Sequence, residues 1–409
     1  MDTIYWNTNL DRCDQAGGHK AVRESYILGI NMTKFGKYPE KSLQELAYGP
    51  IWQAIKESKI DPHEIEISFV GNAYGGLITG QESIRGQTIL REAGLSLKPI
   101  INVENACASG STAFYLANQA VSSGHANLAL AVGVEKIFCD DTLRSLHALS
   151  TSSDLAIEGK MGIVFAGIYA MRLLAHTKKY NITREQIAQV AVKNHDHGAL
   201  NPFAQHRKRF SAEEILKSRM IADPITLLMT CPLGDGAAAC LIGTKEMART
   251  MGKLPVRIAS TVLGSFGYSP QGGEPVTTRV AKQAYREAGI EPAEIEVAEL
   301  HDAVAPIELL LYEELGLCAP GESAKLIDNR DVWYDGRLPV NTSGGLTAKG
   351  HPAGATGIAQ LAEVVWQMRG EAEERQVRPT PKIGIAENGG GHVGGETAVV
   401  ALHVLKAQP

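Results

Sequence analysis

The chain has 409 residues, of which 44% are hydrophobic, and this length predicts two or three domains rather than one ordinary core. Its formal net charge is −5 and it contains no long basic run, which argues against nucleic-acid binding. No apolar run is long enough to span a bilayer and no signal peptide opens the chain, so we expect no membrane contact and a cytoplasmic location. The six scattered cysteines form no Cys-x-x-Cys pair, which predicts neither a metal site nor a disulfide framework.

The first predicted elements alternate between helix and strand. Polar residues at the beginning of the chain are interpreted as an arm that precedes the first strand. The segment from Leu46 to Glu57 is predicted as a helix, and the apolar stretches Ser68–Gly71, Ile100–Val103 and Leu128–Val132 are predicted as strands. This alternation is typical of an α/β fold with a mixed, largely parallel sheet.

Cys107 lies between the strand that ends at Val103 and a helix predicted from the apolar spacing of Ala113 to Val121. Its small neighbours would let a substrate approach the sulfur closely. Free backbone N–H groups and the positive end of the helix dipole at this place favour the thiolate. The segment therefore indicates a nucleophile, although an inert cysteine of a protein core fits the same pattern.

One pattern occurs twice in the chain. The stretch Lys59–Ile67 recurs as Gly289–Val297, and each copy follows a predicted helix and leads into a strand. The proline in each copy fixes the start of a turn, so each copy predicts one helix–turn–strand unit. The repeat predicts a chain that is built from two duplicated halves.

The second half contains a histidine at the position that matches Cys107. Aligning Cys107 with His351 places Gly110 on Gly354, and each copy continues into helical apolar spacing. Two duplicated halves would bring the two helix starts together across a pseudo-twofold axis. Because a histidine beside a cysteine can take the thiol proton, the repeat favours the nucleophile over the core cysteine. His351 could otherwise cap the helix that follows Pro352.

The predicted organisation has three parts. Residues 1–140 together with 223–246 form an N-terminal half, residues 141–222 form an inserted loop subdomain, and residues 247–409 form a C-terminal half. The insertion is predicted from a helix over Gly167–His176 and from basic groups of a surface character. One of them, His206–Arg209, either binds the phosphates of a ligand or is simply solvated.

Three separated motifs resemble the thiolases, and in particular the sterol-carrier-protein-2-type branch. They are Cys107 in Asn-Ala-Cys-Ala-Ser-Gly, His351 in Gly-His-Pro-x-Gly-Ala-Thr-Gly, and the glycine run Gly389–Gly391, while His301-Asp302-Ala303 stands where other thiolases have Asn-Glu-Ala. The resemblance extends from about Tyr26 to the end of the chain. It implies an α/β thiolase fold, in which two duplicated βαβαβαββ halves pack as an αβαβα layered core with an inserted loop subdomain.

The resemblance implies an acyltransferase that uses CoA as a co-substrate at a β-ketoacyl thioester, with no permanently bound cofactor and no metal. Cys107 would attack the β-keto carbon and His351 would accept its proton. His301 would stabilise the enolate oxygen, and the N–H groups of Cys107 and Gly389 would form a second oxyanion hole. The glycines from Gly389 onward would leave room for the substrate. His301 beside Asp302 could instead be a satisfied buried pair, and the glycine run could be only a turn.

The chain departs from the thiolase pattern at the second cysteine, which exchanges the proton of the α-carbon in that family. Glu387 stands where many thiolases have this cysteine, and Ala303 stands where sterol-carrier-type thiolases have it. Glu387 is a possible acid/base if dry surroundings raise its pKa, and otherwise it is an ordinary loop residue. His392 is a further possibility.

The missing cysteine favours thiolytic cleavage of a bulky, branched or aromatic β-ketoacyl-CoA over acetoacetyl-CoA chemistry. Among thiolase-like proteins, the chain resembles the large subunits of benzoylsuccinyl-CoA thiolases, which implies a possible small zinc-ribbon/OB-fold partner subunit. We expect a homodimer, or a dimer that carries such a partner. Two alternatives stay open: a Claisen-type condensation, as in acetoacetyl-CoA synthesis or a ketosynthase, and a non-catalytic lipid-binding or scaffold subunit.

Overall fold

The structure is a computed structural model that describes residues 23–162, 164–267 and 273–408, so the predicted N-terminal arm lies outside the described residues. The strands are β1 (Ser25–Met32), β2 (Ile67–Gly71), β3 (Ile100–Val103), β4 (Leu128–Glu135), β5 (Met220–Ala222), β6 (Ile225–Thr226), β7 (Gly236–Thr244), β8 (Val256–Ser265), β9 (Val297–Glu299), β10 (Ile383–Val393) and β11 (Glu396–Ala407). The α-helices are α1 (Leu43–Ser58), α2 (Gly75–Thr79), α3 (Arg85–Glu92), α4 (Ser109–Ser122), α5 (Thr142–Ser150), α6 (Phe165–Tyr180), α7 (Arg184–Leu200), α8 (Ala212–Lys217), α9 (Lys245–Thr250), α10 (Val276–Ala288), α11 (Glu308–Glu314), α12 (Ser323–Asp328), α13 (Gly345–Lys349) and α14 (Ala353–Arg369). Within the described ranges, none of these helices combines the length and the apolar character that crossing a bilayer requires.

Both halves of the chain have the same strand order. Among the described residues, nine strands form one mixed sheet in the order β3-β2-β4-β7-β1-β8-β11-β10-β9. Counted outward from the central β1–β8 pair, β7, β4 and β2 of the first half correspond to β11, β10 and β9 of the second. The outer pairs β2–β4 and β9–β10 are parallel, and the inner pairs are antiparallel. Val340 forms a parallel bridge to Ala298 of β9, at the place that β3 has beside β2.

The repeated stretches also share their local structure. α1 and α10 both end at a left-handed residue, Lys59 (φ 57°) and Gly289 (φ 60°), and these are the first residues of the two copies. Pro62 and Pro292 then begin short 3₁₀ turns that lead into β2 and β9. The predicted duplication is therefore confirmed down to single turns.

The helices form layers around the two halves. α1 covers the outer face of the first half and α10 covers the outer face of the second half, while α4 and α14 pack between them. α14 is buried from Ala353 to Met368. Its sequence is mostly apolar or small on every side, which is what a helix that is buried between the two halves of the sheet requires. The described core therefore has the predicted αβαβα layers.

α4 and α14 approach each other very closely at two glycines. A Cβ at Gly110 would overlap the carbonyl oxygen of Gly354, and a Cβ at Gly354 would overlap the carbonyl oxygen of Val134 at the end of β4. Backbone atoms of packed elements cannot move aside as the end of a flexible side chain can. The two glycines that the repeat aligns are therefore in direct contact.

The segment 141–222 runs between β4 and β7 and is mostly helical. Its helix α7 is packed into the second half rather than lying on the surface. Lys193 Nζ forms a fully buried ion pair with Glu308 Oε2 at 2.9 Å, and Asn194 Nδ2 donates to Asp302 Oδ2 at 2.8 Å. These bonds connect the insertion to the residue that follows His301. The proposed domain boundaries stay a prediction.

We expect G354A to lower the free energy of unfolding by about 3 kcal/mol, because the added methyl group overlaps a backbone carbonyl of another element. G49A in α1 is the matched control, since a Cβ at Gly49 meets no atom within 4 Å and alanine favours a helix over glycine. Urea denaturation of both variants measures the effect. Wild-type stability of G354A would contradict the packing argument.

Candidate active site

Cys107 lies in a tight loop between β3 and α4, which confirms the predicted strand–helix junction. Ala106 has a φ of 48°, a left-handed conformation that is unusual for a residue with a side chain. The Ser109 hydroxyl closes the loop, because it donates to the Ala106 carbonyl oxygen at 2.6 Å and accepts from the Asn105 N–H at 2.9 Å. The loop therefore holds the sulfur at the start of α4.

The glycine run of β10 lies against this loop. A Cβ at Gly390 would overlap the carbonyl oxygen of Asn105, so only glycine fits at this position. The room that was expected for a substrate is occupied at Gly390 by the cysteine loop itself. Gly389 is the preceding residue of β10, and its N–H as an oxyanion donor stays a prediction.

His351 precedes α14, and Thr356 sets the position of its proton. The Thr356 hydroxyl donates to the Pro352 carbonyl oxygen at 3.0 Å, so it accepts the 2.7 Å hydrogen bond from His351 Nδ1. Nδ1 therefore carries the proton and Nε2 has a lone pair. Nε2 is buried without a hydrogen-bond partner among the described residues. Burial lowers the pKa of His351 to about 3, so the imidazole is neutral at neutral pH.

His301 follows β9 and has the opposite proton position. Asn388 Nδ2 lies 2.7 Å from His301 Nδ1 and donates to it, which leaves the proton on Nε2. Burial lowers the pKa of His301 well below its usual value, and the nearby His351 and His392 add to this. The rings of His301 and His351 meet edge to face with their centroids 4.9 Å apart. The pair thus offers one N–H donor and one nitrogen acceptor.

The fold brings Cys107 and both histidines together. The sulfur and one ring nitrogen of each histidine lie within 4.8 Å of one another. Burial raises the pKa of the Cys107 thiol to about 12, and the Glu135 carboxylate contributes in the same direction. The Cys107 N–H at the helix start favours the thiolate, as expected, but the effect of burial on the pKa is larger in the resting site. Deprotonation of Cys107 needs an acceptor at close range, and His351 offers one because its Nε2 has a lone pair and no hydrogen-bond partner among the described residues.

A cysteine and two histidines at this spacing could also hold a metal ion such as zinc. His351 suits that role, since its Nε2 is free. His301 does not, because a metal-binding histidine donates its other N–H to an acceptor, whereas Nδ1 of His301 accepts from Asn388. The proton positions therefore fit acid–base chemistry better than metal binding.

Glu387 is buried beside this cluster. Its Oε2 accepts a hydrogen bond from the His301 N–H at 2.9 Å. Burial raises its pKa to about 7, and Glu314 contributes in the same direction, so the carboxyl can hold a proton at neutral pH. Glu387 thus has the dry surroundings that a role as acid/base requires. His392 is also near, and its Nδ1 lies 3.1 Å from the carbonyl oxygen of Glu396.

Sequence reasoning missed two side chains near the cysteine. The Tyr74 hydroxyl oxygen lies 3.8 Å from Cys107 Sγ. The Cys231 N–H donates to the Ala303 carbonyl oxygen at 3.0 Å, and burial together with the nearby Cys107 raises the pKa of the Cys231 thiol. Neither residue belongs to a motif with catalytic spacing. Only their positions at the sheet edge where β2 ends and β7 begins could have indicated them.

A duplicated α/β fold with a cysteine and two histidines where its halves meet is typical of acyl-transfer enzymes. The sequence matches the family "Thiolase, N-terminal domain" over residues 25–246 and the family "Thiolase C-terminal domain-like" over residues 273–403. The chain belongs to the thiolase family. It is an acyltransferase, as predicted.

Curated relatives cover nearly the whole chain. An acetyl-CoA acetyltransferase of Methanothermobacter thermautotrophicus is 37% identical over 94% of this chain and 100% of that protein. The benzoylsuccinyl-CoA thiolase subunit BbsB of Thauera aromatica is 37% identical over 91% of this chain and 96% of that protein. Sterol carrier protein 2 of Gallus gallus is 35% identical over 89% of this chain and 70% of that protein. The predicted relationship to this branch of the thiolases is confirmed.

Solved structures have the same fold. The Ltp2-ChsH2(DUF35) aldolase superposes with a TM-score of 0.77 at 24% identity, covering 95% of this chain and 98% of that chain. Human mitochondrial 3-ketoacyl-CoA thiolase superposes with a TM-score of 0.73 at 16% identity, covering 95% of this chain and 100% of that chain. These similarities confirm the predicted thiolase fold.

The buried Glu387 predicts a pH dependence of stability. Because folding raises its pKa from 4.5 to about 7, the folded state binds the proton more tightly than the unfolded chain. Tighter proton binding by Glu387 therefore contributes to the free energy of unfolding. This contribution is complete below pH 4.5, and about 3 kcal/mol of it is lost as the pH rises through about 7. E387Q should therefore lose less stability than the wild type between about pH 5 and about pH 8.

Urea denaturation across this pH range measures the effect. E287Q, which replaces an exposed glutamate of α10, should keep the wild-type profile. Parallel profiles of E387Q and the wild type would contradict the raised pKa.

Proposed function

We propose that this protein cleaves a bulky, branched or aromatic β-ketoacyl-CoA by thiolysis, with Cys107 as the nucleophile. The observation that carries the proposal is the cluster of Cys107, His301 and His351, in which the sulfur and one ring nitrogen of each histidine lie within 4.8 Å of one another. The identity of 37% to a benzoylsuccinyl-CoA thiolase subunit supports the aromatic substrate class.

In the first half-reaction, the Cys107 sulfur bonds to the β-keto carbon while the thiol proton moves to His351 Nε2. The bond between the α- and β-carbons then breaks, and its electron pair forms the enolate of the departing acyl-CoA. His301 donates its Nε2–H to the enolate oxygen. Asn388 supports this step, because its hydrogen bond to Nδ1 keeps the proton of His301 on Nε2.

The enolate takes a proton at its α-carbon, and we assign this proton to Glu387. A pKa of about 7 lets this carboxyl hold a proton at neutral pH and release it. In the second half-reaction the CoA thiol gives its proton to the Glu387 carboxylate, and its sulfur attacks the thioester on Cys107. The Cys107 sulfur leaves as a thiolate and takes its proton back from His351 Nε2, which restores both groups. The N–H groups of Cys107 and Gly389 hold the oxyanion of this step.

Claisen-type condensation is the second candidate function. The identity of 37% to an acetyl-CoA acetyltransferase favours it, and the same groups would act in the reverse order. The third alternative, a non-catalytic lipid-binding or scaffold subunit, explains neither the paired proton positions of the two histidines nor their closeness to Cys107.

We also propose a homodimer that binds a small zinc-ribbon/OB-fold partner subunit. The partner is supported by two relatives, a thiolase named as a subunit and an aldolase in which Ltp2 is joined to ChsH2(DUF35). The dimer is supported by β3, an edge strand of the sheet on which Ile101 is 42% exposed. Such an edge has free backbone groups that a second copy can pair with. The cytoplasmic location stays a prediction.

The exposed basic segment His206–Arg209 is our candidate for binding the CoA phosphates. The His206 N–H donates to the Ala348 carbonyl oxygen at 3.0 Å, so the segment lies against the end of α13. His351 follows that helix by two residues, which places positive charge on an approach to the cluster.

Incubation with a branched or aromatic β-ketoacyl-CoA should give an acyl adduct on Cys107 that free CoA removes, with mass spectrometry as the measurement. C107A should give no adduct. C318A should give the wild-type adduct, because Cys318 lies beyond α11 and outside the cluster. The absence of an adduct with linear, branched and aromatic substrates, with the partner subunit supplied, would overturn the proposal.

E387Q should slow carbon–carbon cleavage about 10²- to 10³-fold, since it removes the group that exchanges the α-carbon proton. Acylation of Cys107 by a simple thioester should be unchanged, because no carbon–carbon bond breaks in that reaction. Single-turnover kinetics with both substrates separates the two steps, and E287Q serves as the control. Unchanged cleavage in E387Q would remove Glu387 from the mechanism.

A further inference from the structure

Tyr74 is a buried phenol that contacts the proposed nucleophile. It lies between β2 and α2 and is 2% exposed. Its hydroxyl oxygen is 3.8 Å from Cys107 Sγ, which is a hydrogen-bond distance for sulfur, and 2.5 Å from Ser152 Oγ. Tyr74 therefore connects the sulfur to the segment that follows α5.

Both hydroxyl groups are held in place from the backbone. The Tyr74 N–H donates to Glu135 Oε1 at 3.1 Å, at the end of β4. The Ser152 carbonyl oxygen accepts from the His392 N–H of β10 at 2.8 Å. The phenol is therefore fixed between the two halves before any substrate binds, as an efficient electrostatic contact requires.

The directions of these hydrogen bonds follow once Cys107 has lost its proton. A thiolate can only accept, so the Tyr74 hydroxyl donates to Sγ and the Ser152 hydroxyl donates to the Tyr74 oxygen. The thiol proton goes to His351 Nε2, and the proton of Tyr74 stays on its oxygen. Burial raises the pKa of Tyr74 well above its usual value, which keeps the phenol protonated.

A thiolate at this place needs such a donor. Burial and the carboxylates of Glu135 and Glu104 all disfavour negative charge on Cys107. The hydrogen bond from Tyr74 is the strongest influence that lowers the pKa of the thiol, ahead of the N–H of Cys107 itself. A hydrogen bond to an ionised sulfur is also stronger than one to a neutral thiol, so it favours the charged state.

We propose that Tyr74 is a further catalytic residue, whose hydroxyl donates a hydrogen bond to the Cys107 sulfur whenever that sulfur carries negative charge. Ser152 is a positioning residue that orients this hydroxyl. The sulfur is charged when it attacks the β-keto carbon and again when CoA displaces it from the thioester. These two moments rest on the proposed function, whereas the contact between phenol and sulfur does not.

Alkylation of Cys107 by iodoacetamide tests the contact without any acyl substrate. The rate is measured by mass spectrometry of the Cys107 peptide, for the wild type, Y74F, S152A and Y26F. Y74F should react about three- to tenfold more slowly throughout the range from about pH 7 to about pH 9.5. The thiolate fraction falls about tenfold per pKa unit, while the remaining thiolate becomes a somewhat better nucleophile.

The alkylation rate of S152A should lie between the rates of Y74F and the wild type. Y26F is the matched control, because it loses a hydroxyl that bonds to Glu24 and Gln408 away from the cluster, and it should react like the wild type. Wild-type rates in a folded Y74F would overturn the proposal, with folding checked by circular dichroism. If Y74F does not fold, a wild-type rate in S152A overturns it instead.

The same proteins separate this inference from the proposed function. Slower alkylation of Y74F, in a protein that forms no acyl adduct with any β-ketoacyl-CoA, would uphold the contact and refute the thiolase proposal. An acyl adduct in the wild type together with an unchanged alkylation rate in Y74F would uphold the thiolase proposal and refute the role of Tyr74.

Discussion

The backbone contact between Gly110 and Gly354 is the constraint on which the rest of the structure depends. It lets the backbones of the central helices α4 and α14 approach each other directly at this point. Because Cys107 and His351 stand just before these helices, the contact also sets the distance between the sulfur and the imidazole. Proton transfer requires near contact, so a wider helix spacing would separate the two groups.

Burial sets the charge states of Cys107, His301 and His351. The cluster is dry enough that the thiol and both imidazoles are neutral at rest. The two histidines nevertheless differ, because Thr356 accepts from one ring and Asn388 donates to the other. Burial makes each of these single hydrogen bonds decisive, since a hydrogen bond is electrostatically stronger inside a protein than in water.

Part of this site could be predicted from the sequence. Cys107 and His351 stand at equivalent places of a repeat, so symmetry alone brings them together. His301 has no partner in the repeat, and it was found only through its resemblance to a family motif. Tyr74 and Cys231 could not be found, because they come from other loops of the same sheet edge. The strand order decides which loops lie together at this end of the sheet. Strand order cannot be predicted from any single segment of the sequence.

The sequence by itself determined the α/β class, the duplication, the strand–helix junction at Cys107 and its pairing with His351, since periodicity and a repeat are local properties that survive without coordinates. The tertiary structure decided the charge states. Whether Cys107 rests as a thiol, which nitrogen of each histidine carries the proton, and whether Glu387 can hold a proton at neutral pH all depend on burial and on single hydrogen-bond partners. Those quantities are set by distant parts of the chain that only folding brings into contact.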